Sequence, residues 1–528
     1  MDLLDLRLER VDPATIRAVL LAGVTLLFSL QLRRWFLQQR SPNSPPGPIP
    51  WPIIGNAAQL GKSPHLALTR MAKRYGSIFQ IKLGSRTVVV LNGDSIRQAL
   101  VKQGPEFAGR PDFTSFQYVS NGASLAFGTM TDWWKLHRRV AQSAVRMFST
   151  GNLETKKTFE QHVVSEVTEL LQLFDAKTKA RGSLEPMSYL VVSNANIMSA
   201  VCFGKRYPYD DVEFRQVVGR NDQFTQTVGA GSMVDVMPWL QYFPNPIKTM
   251  FENFKRLNQE FGEFIRDKVV EHRKTIESSS IRDITDAFIV ALDQLRDRTG
   301  ASREKDYVTA TMGDVFGASQ DTLSTALQWI ILILVKYPEE QERLQQEVDK
   351  VVGRSRLPSV EDQVRVPYVM AFIYEVMRFT SFVPLTIPHS TMSDTSILGY
   401  DIPKHTVVFV NQWSVNRDPA AWPLPETFDP RRFLSEDGSL NKDLCSSVLI
   451  FSLGKRRCIG EELSKMQLFL FTALLAHQCH IRSNSARPPT LDGIYGLTLK
   501  PLPYSISVTL RGDTSPEAAS EATPDSSA

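Results

Sequence analysis

Cysteine is scarce in this chain, and what there is comes unpaired. Its four cysteines, Cys202, Cys445, Cys458 and Cys479, share no repeated spacing. That excludes a disulfide framework and a zinc module and fits a reducing compartment. His477-Gln-Cys479-His480 gathers metal-binding side chains but has no matching second half, and it closes the apolar run Leu468 to Leu475, so it reads as the end of a buried helix. Long low-complexity linkers and internal repeats are also missing, which leaves one large folded unit with short tails. Strong charge of one sign is missing too. A net charge of +4 over 528 residues is too small to imply nucleic acid, and no arginine-rich or aromatic-interleaved RNA-binding pattern appears.

Long apolar runs are few, and the first is an address. Ala18 to Leu32 is almost wholly apolar, extended by Ile16, Trp35, Phe36 and Leu37 toward the roughly 20 residues that a membrane span needs. No convincing small-residue cleavage site follows, which favours a retained signal-anchor over a removed signal peptide. Arg33, Arg34 and Arg40 put the C-terminal side in the cytosol, and the acidic start (Asp2, Asp5, Glu9, Asp12) would face the lumen. Pro45-Pro46-Gly47-Pro48-Ile49-Pro50 is too proline-rich for helix or inner strand and reads as a stiff hinge. The expected organisation is an anchor over 1–40, a hinge over 41–52, a catalytic domain over 53–510 and a disordered tail over 511–528. Ile78–Gly84 and Thr87–Gly93 predict a β-hairpin about Gly84-Ser85. Helix signals then dominate, around 155–175, 248–277, 307–335, 338–352 and 367–380, so the fold class is mostly α with small β-sheets.

The most informative stretch is Phe451-Ser-Leu-Gly454-Lys-Arg456-Arg457-Cys458-Ile459-Gly460. A cysteine that must stay a thiolate needs positive charge and backbone N–H donors near its sulfur. Arg456 and Arg457 supply the charge, Gly454 and Gly460 let the backbone fold tightly, and Phe451 can shield the sulfur from water. Glu461-Glu462 then opens an apolar-periodic helix whose dipole favours an anion at its start. Cys458 therefore reads as a haem-thiolate ligand.

Two further motifs follow one another in order. Glu375-Val-Met-Arg378 places an acid and an arginine on one helix face, and Phe428-Asp429-Pro430-Arg431-Arg432-Phe433 comes before the cysteine loop. Together they resemble the cytochrome P-450 superfamily. From Pro46 to about Pro503 the chain is similar to animal family one, most closely subfamily B, as carried by Asn194–Gly204, Thr227–Pro246 and Val408–Val415. The resemblance implies the cytochrome P-450 fold, a single large catalytic domain behind the anchor. It implies a structural ion-pair triad of Glu375, Arg378 and Arg432, and haem b (iron protoporphyrin IX) as cofactor with Cys458 on the iron.

Gly317-Ala318-Ser319-Gln320-Asp321-Thr322 resembles the oxygen-activating segment of that superfamily, with Asp321 and Thr322 as the proton relay. It departs from the usual pattern at Ser319, where glycine is common, and at Leu323. Trp134-Lys-Leu-His-Arg138 resembles the propionate-binding motif, with His389 and Arg456 as further partners. Phe451 and Gly460 complete the cofactor site. By the same resemblance Val119, Phe127, Asn221, Phe224, Leu257, Phe261, Gly317, Ala318, Val383 and Leu497 line the substrate cavity. Such a cavity suits planar aromatic and steroid-like lipophiles: polycyclic aromatic hydrocarbons, oestradiol and retinoids.

The expected activity is that of a membrane-anchored monooxygenase. With no dinucleotide fingerprint and no flavin-binding pattern in the chain, NADPH and flavins enter through a partner, the NADPH-cytochrome P-450 reductase, with cytochrome b5 as a second donor. Lys135, Arg138, Arg139, Lys455, Arg456, Arg457 and Lys465 would form a basic dock for it. The expected location is the endoplasmic reticulum membrane, with the mitochondrion as a further site. Two other readings stay open on the residues: a haem-thiolate isomerase or lyase, disfavoured by Asp321 and Thr322, and a non-catalytic haem sensor or sterol-binding protein.

Overall fold

The computed structural model describes residues 12–38, 43–151, 153–219, 232–277, 280–299, 306–484 and 489–512. Of the acidic start only Asp12 is among these residues, and the Ser- and Ala-rich tail beyond Gly512 lies outside them. Helix α1, Pro13–Gln38, opens on a proline at its first position, with Asp12 accepting from the Ala14 N–H at 3.2 Å. Its window Ala14–Arg34 has mean hydropathy 1.8, and none of it is buried. A helix apolar all round that packs against no protein is suited to lipid, and 26 residues at about 1.5 Å each exceed the roughly 30 Å of a hydrocarbon core.

The expected hairpin forms. β1 (Ile78–Leu83) pairs antiparallel with β2 (Arg86–Leu91), Ile78 facing Leu91 and Leu83 facing Arg86. Gly84 turns at φ +54°, and a Cβ there would lie 2.3 Å from the Val236 carbonyl oxygen. The proline segment, expected as a hinge, is fastened to this hairpin. The Pro46 carbonyl accepts from the Gln80 N–H at 2.8 Å, and Asn56 donates to the Ile49 carbonyl at 3.0 Å. Any hinge therefore precedes Pro46.

The helical body follows in order: α2 (Asp132–Met147), α3 (Leu153–Arg181), α4 (Met187–Phe203), α5 (Pro246–Thr275), α6 (Tyr307–Lys336), α7 (Pro338–Val352) and α8 (Pro367–Thr380). Short strands β3 (His389–Ser390) and β4 (Val407–Val410) extend the hairpin into a four-stranded sheet of order β1-β2-β4-β3. Helix α9 (Glu461–Gln478) leads into β5 (Cys479–Ser483). The hairpin β6 (Gly493–Tyr495) and β7 (Leu499–Pro501) and the last strand β8 (Ile506–Leu510), paired with β5, complete the chain. Helix α6 is apolar enough to cross a membrane but 83% of its apolar window is buried inside the protein. It is the axis of the core, and Trp329 ties it to the C-terminal hairpin by donating to the Leu499 carbonyl at 2.7 Å. His477 contacts the Gly353 carbonyl oxygen at 2.9 Å, and the Cys479 thiol donates to the Leu475 carbonyl.

Candidate active site

The cysteine loop folds locally before it does anything else. Ser452 and Gly454 take left-handed turns at φ +60° and +68°. At Gly454 a Cβ would lie 1.7 Å from the Leu100 carbonyl oxygen, so only glycine fits. The Cys458 N–H donates back to the Phe451 carbonyl at 2.9 Å and closes the loop. Gly460 caps α9 at φ −92°, and a Cβ there would stand 3.9 Å from the Cys458 sulfur. The protein's own atoms leave room for a side chain at that position.

Cys458 faces a cavity of about 280 Å³ whose opposite wall is α6 at Ala318, Ser319 and Thr322, with Val383, Phe451 and His389 around it. Burial pushes its thiol up from the ordinary value, with the Gly460 N–H, Arg138 and Arg457 pulling it back and Glu461 opposing them. The neighbouring arginines therefore do not hold a thiolate by themselves. A metal cation on the sulfur would favour the thiolate.

The cavity rim is a second anomaly. Arg456 is buried, donates to the carbonyls of Ala108, Leu125 and Gly128 at 2.8–3.0 Å, and lies 4.0 Å over the Trp134 ring. Arg110 donates to Ala126, Ile387 and Pro388 at 2.7–3.0 Å. Burial, then the other arginines, pulls Arg456 down to about 8, and burial with Arg138 pulls Arg110 down to about 9. His389, whose Nδ1 lies 2.8 Å from the Phe107 carbonyl oxygen, is held well below its usual value by burial and Arg110 and is neutral. One acid stands among them. Asp314 accepts from Leu125 at 2.6 Å and from Ser124 and Ala126, and burial raises it to about 6. Three guanidinium groups, that of Arg456 buried and those of Arg110 and Arg138 partly so, against one such acid leave a surplus of positive charge, which two ligand carboxylates would meet. A slot between a cysteine and a helix, rimmed by such a surplus, fits haem b with its two propionates.

The structure moves several expected residues. Asp321 and Thr322 do not share the cavity, because successive helical side chains diverge by about 100°. Thr322 faces it, its hydroxyl donating to the Ala318 carbonyl at 2.8 Å. Asp321 faces the other way, 2.9 Å from the Lys500 ammonium and accepting from Thr498 at 2.9 Å. Trp134 spends its indole N–H on the Leu125 carbonyl at 3.1 Å and serves Arg456 and Arg138 as a cation–π platform. Arg138 donates to the Arg457 carbonyl. Of the substrate positions, Ala318 and Val383 line the cysteine cavity. Gly317 is partly buried on α6, and Leu497 lines a separate cavity on the Asp321 side. Phe261 stacks on Phe316 with centroids 6.2 Å apart, Leu257 is buried, and Phe127 packs with Val119 in the hairpin-side core. Asn221 and Phe224 lie outside the described residues.

Glu375, Arg378 and Arg432 form one ion-pair cluster. Glu375 accepts both Arg378 nitrogens at 2.7 and 2.8 Å and Arg432 at 3.1 Å, with the first two side chains fully buried. Of the expected basic dock Arg456 points inward, while Lys135, Arg139, Lys455 and Arg457 are exposed, Lys135 paired with Asp132 and Arg457 and Lys465 with Glu461 in a patch of mixed sign. Sequence reasoning missed Arg110 and Asp314. Asp314 carried a signal, as an acid two helical turns before Asp321 in an apolar segment; Arg110, in an irregular connection, carried none.

The cytochrome P450 family model matches residues 45–508. The chain is 52% identical over 511 residues to cytochrome P450 1B1 of Homo sapiens, covering 95% of this chain and 94% of that protein. To cytochrome P450 1B1 of Mus musculus it is 52% identical over 509 residues, with 94% and 93% covered. Cytochrome P450 1A1 of Chelon auratus is 45% identical over 474 residues, with 88% and 90% covered.

Proposed function

Because the chain belongs to the cytochrome P450 family, whose members are haem-thiolate monooxygenases, we propose that it hydroxylates or epoxidises planar aromatic and steroid-like lipophiles, among them polycyclic arenes, oestradiol and retinoids. The cofactor is haem b with a cysteine thiolate, and electrons come from a partner reductase, as is standard for the family. An isomerase or lyase is not favoured. When bound, the haem supplies activation of dioxygen at a cysteinate-ligated iron.

The observation that carries the reading is the slot between Cys458 and the Ala318–Thr322 turn, with unbalanced arginines at its rim. Cys458 is the ligand, and Phe451 lines the same cavity beside it. Arg110, Arg138 and Arg456 receive the propionates, with the His389 Nε2 as a neutral partner. Ala318 and Val383 give the substrate small apolar walls, and the Thr322 hydroxyl, now bonded to Ala318, can turn to donate into the cavity. Asp321 feeds protons to it from the far side of α6. The reducing partner is the NADPH-dependent reductase, helped by cytochrome b5. No feature of the described residues speaks for the mitochondrion, and α1 supports anchorage in the endoplasmic reticulum.

The test is the difference spectrum of the reduced, carbon monoxide-bound protein beside Cys458→His, followed by reductase-coupled turnover of oestradiol. A red-shifted Soret band confined to the wild type supports the assignment, and its absence from folded, haem-loaded wild type would sink it. For the anchor, a chain lacking residues 1–40 should be released from membranes only in part. Exposed Trp239, Tyr242 and Phe243 offer a second lipid contact, and full solubility would remove it.

A further inference from the structure

Helix α6 separates two cavities that have no lining residue in common. One lies over Cys458. The other, of about 370 Å³, is enclosed by α4 at Val191 and Val192, by Val218, and by the C-terminal hairpin at Ile494 and Leu497. Its walls are mostly aliphatic, and two of its lining residues, Arg215 and Ile494, are exposed, so it opens to solvent. Most of the polar groups along α6 are spent on the hairpin. Asp321 pairs with Lys500 and accepts from Thr498, both at 2.9 Å, and Thr498 stands 3.1 Å from Thr325. Gln328, two turns beyond Asp321, is not so served. Its backbone carbonyl accepts from the Tyr504 hydroxyl at 2.6 Å, but the residue is 2% exposed and its amide oxygen has no hydrogen-bond partner among the described residues.

We infer that this cavity is a second ligand site, taking a hydroxylated lipophile of arene or steroid size whose hydroxyl bonds the Gln328 amide while its hydrocarbon body lies against Val191, Val218 and Ile494. Apolar walls with one lone polar group are the pattern of a small-molecule pocket, and the volume falls within the range of about 300–1,000 Å³ that such pockets occupy. A buried amide without a partner is costly, so the cavity favours an occupant that supplies one. A hydroxyl both donates and accepts, and so meets either end of the amide. Water also meets the amide but leaves the aliphatic walls hydrated, which a hydroxylated lipophile does not. The site stands on its own walls and needs no step of the proposed reaction. Where that reaction holds, its hydroxylated product belongs to the class that this cavity takes, on the far side of α6 from Cys458.

The experiment uses the full haem-loaded chain in lipid nanodiscs with 1-phenylimidazole on the iron, so that the Cys458 cavity is closed and the azole Soret band reports any displacement. The ligands are 1-hydroxypyrene and pyrene, whose fluorescence the haem quenches on binding, corrected against protein-free discs. We expect one saturable 1-hydroxypyrene per chain with the azole band unmoved. Gln328→Leu keeps the bulk of the side chain and loses the amide. It should weaken 1-hydroxypyrene about fivefold, the size of one ordinary hydrogen bond, and should not weaken pyrene. Val191→Trp should fill the cavity and abolish both, with an unchanged carbon monoxide spectrum showing that each variant is folded. The inference is overturned if 1-hydroxypyrene binds only by displacing the azole or shows no saturable binding with the azole in place. It is equally overturned if Gln328→Leu, or a folded Val191→Trp, binds 1-hydroxypyrene as tightly as the wild type, which would put the ligand on the outer surface or in lipid. Should turnover of oestradiol fail while this binding holds, the proposed reaction falls and the second site stands.

Discussion

The molecule holds two arginine clusters, each with one buried guanidinium, and balances them differently. Under the cysteine loop, Arg378 and Arg432 share Glu375, and their remaining N–H groups find the carbonyls of Asn416, Pro423, Pro425 and Thr427. At the cavity rim, Arg110, Arg138 and Arg456 face one another with Asp314 as the acid among them, and burial plus mutual repulsion drags Arg110 and Arg456 to about 9 and 8. The first cluster carries its anion within the chain and is finished when the chain folds. The second is finished only by an anion from outside. Buried charge of the first kind fixes a shape, and buried charge of the second kind states what the shape is for.

Breaking the self-sufficient cluster should have the largest effect. Arg378→Ala strands a buried carboxylate and empties the space over Trp422, where the guanidinium lies 5.6 Å from the ring. Removing one partner of such a network costs about 3–5 kcal/mol, a large part of a domain's stability. We expect little haem-loaded protein, measured as the ratio of Soret to protein absorbance after purification. A normal ratio would mean that Glu375 is satisfied without Arg378.

The rim cluster should respond to pH instead. Burial and the neighbouring arginines pull the Arg456 guanidinium down from its ordinary value, so it gives up its proton more readily in the haem-free fold than in the unfolded chain. The unfolded state then binds more protons, so the haem-free fold gains stability as pH rises past about 8, and the gain is absent below it. Propionates reverse this by favouring the charged form, so haem binding takes up protons and weakens as pH rises. Haem transfer to apomyoglobin should accelerate about tenfold between pH 7 and 9.5, the size of one lost charge-assisted pair. Arg456→Met should be fast and flatter across that range. A flat wild-type profile would show that the rim does not hold the propionates.

The two clusters also differed in how far the sequence revealed them. Glu375 and Arg378 sit three residues apart on one helix, a spacing readable without the fold, and the cysteine loop is local in the same way. The helices were legible for that reason too: proline at the start of α7 and α8 and Asp306 before α6 mark their ends within one turn. The rim draws Arg110, Asp314 and Arg456 from an irregular connection, α6 and the cysteine loop, so no local pattern contains it. The direction of Asp321 is not legible in the sequence, because Thr498, which bonds it, lies 177 residues on. Likewise Leu497 was expected beside Ala318 and sits behind α6, because the hairpin enters from that side.

Trp134 gives the finest test of the difference, since it belongs to the rim by position and to the frame by hydrogen bond. Its N–H goes to the Leu125 carbonyl, which also accepts from Arg456, and its ring lies under that guanidinium. Trp134→Phe removes the N–H and keeps a ring, so the cost should be about 1 kcal/mol in urea unfolding, with Leu125 still served by Arg456. If the tryptophan supports the rim and does not itself bind a propionate, haem transfer at pH 7 should stay within about twofold of wild type, well under the tenfold of a lost pair. A tenfold acceleration with unchanged unfolding would instead make Trp134 a propionate donor, one that gives up Leu125 when the cofactor binds.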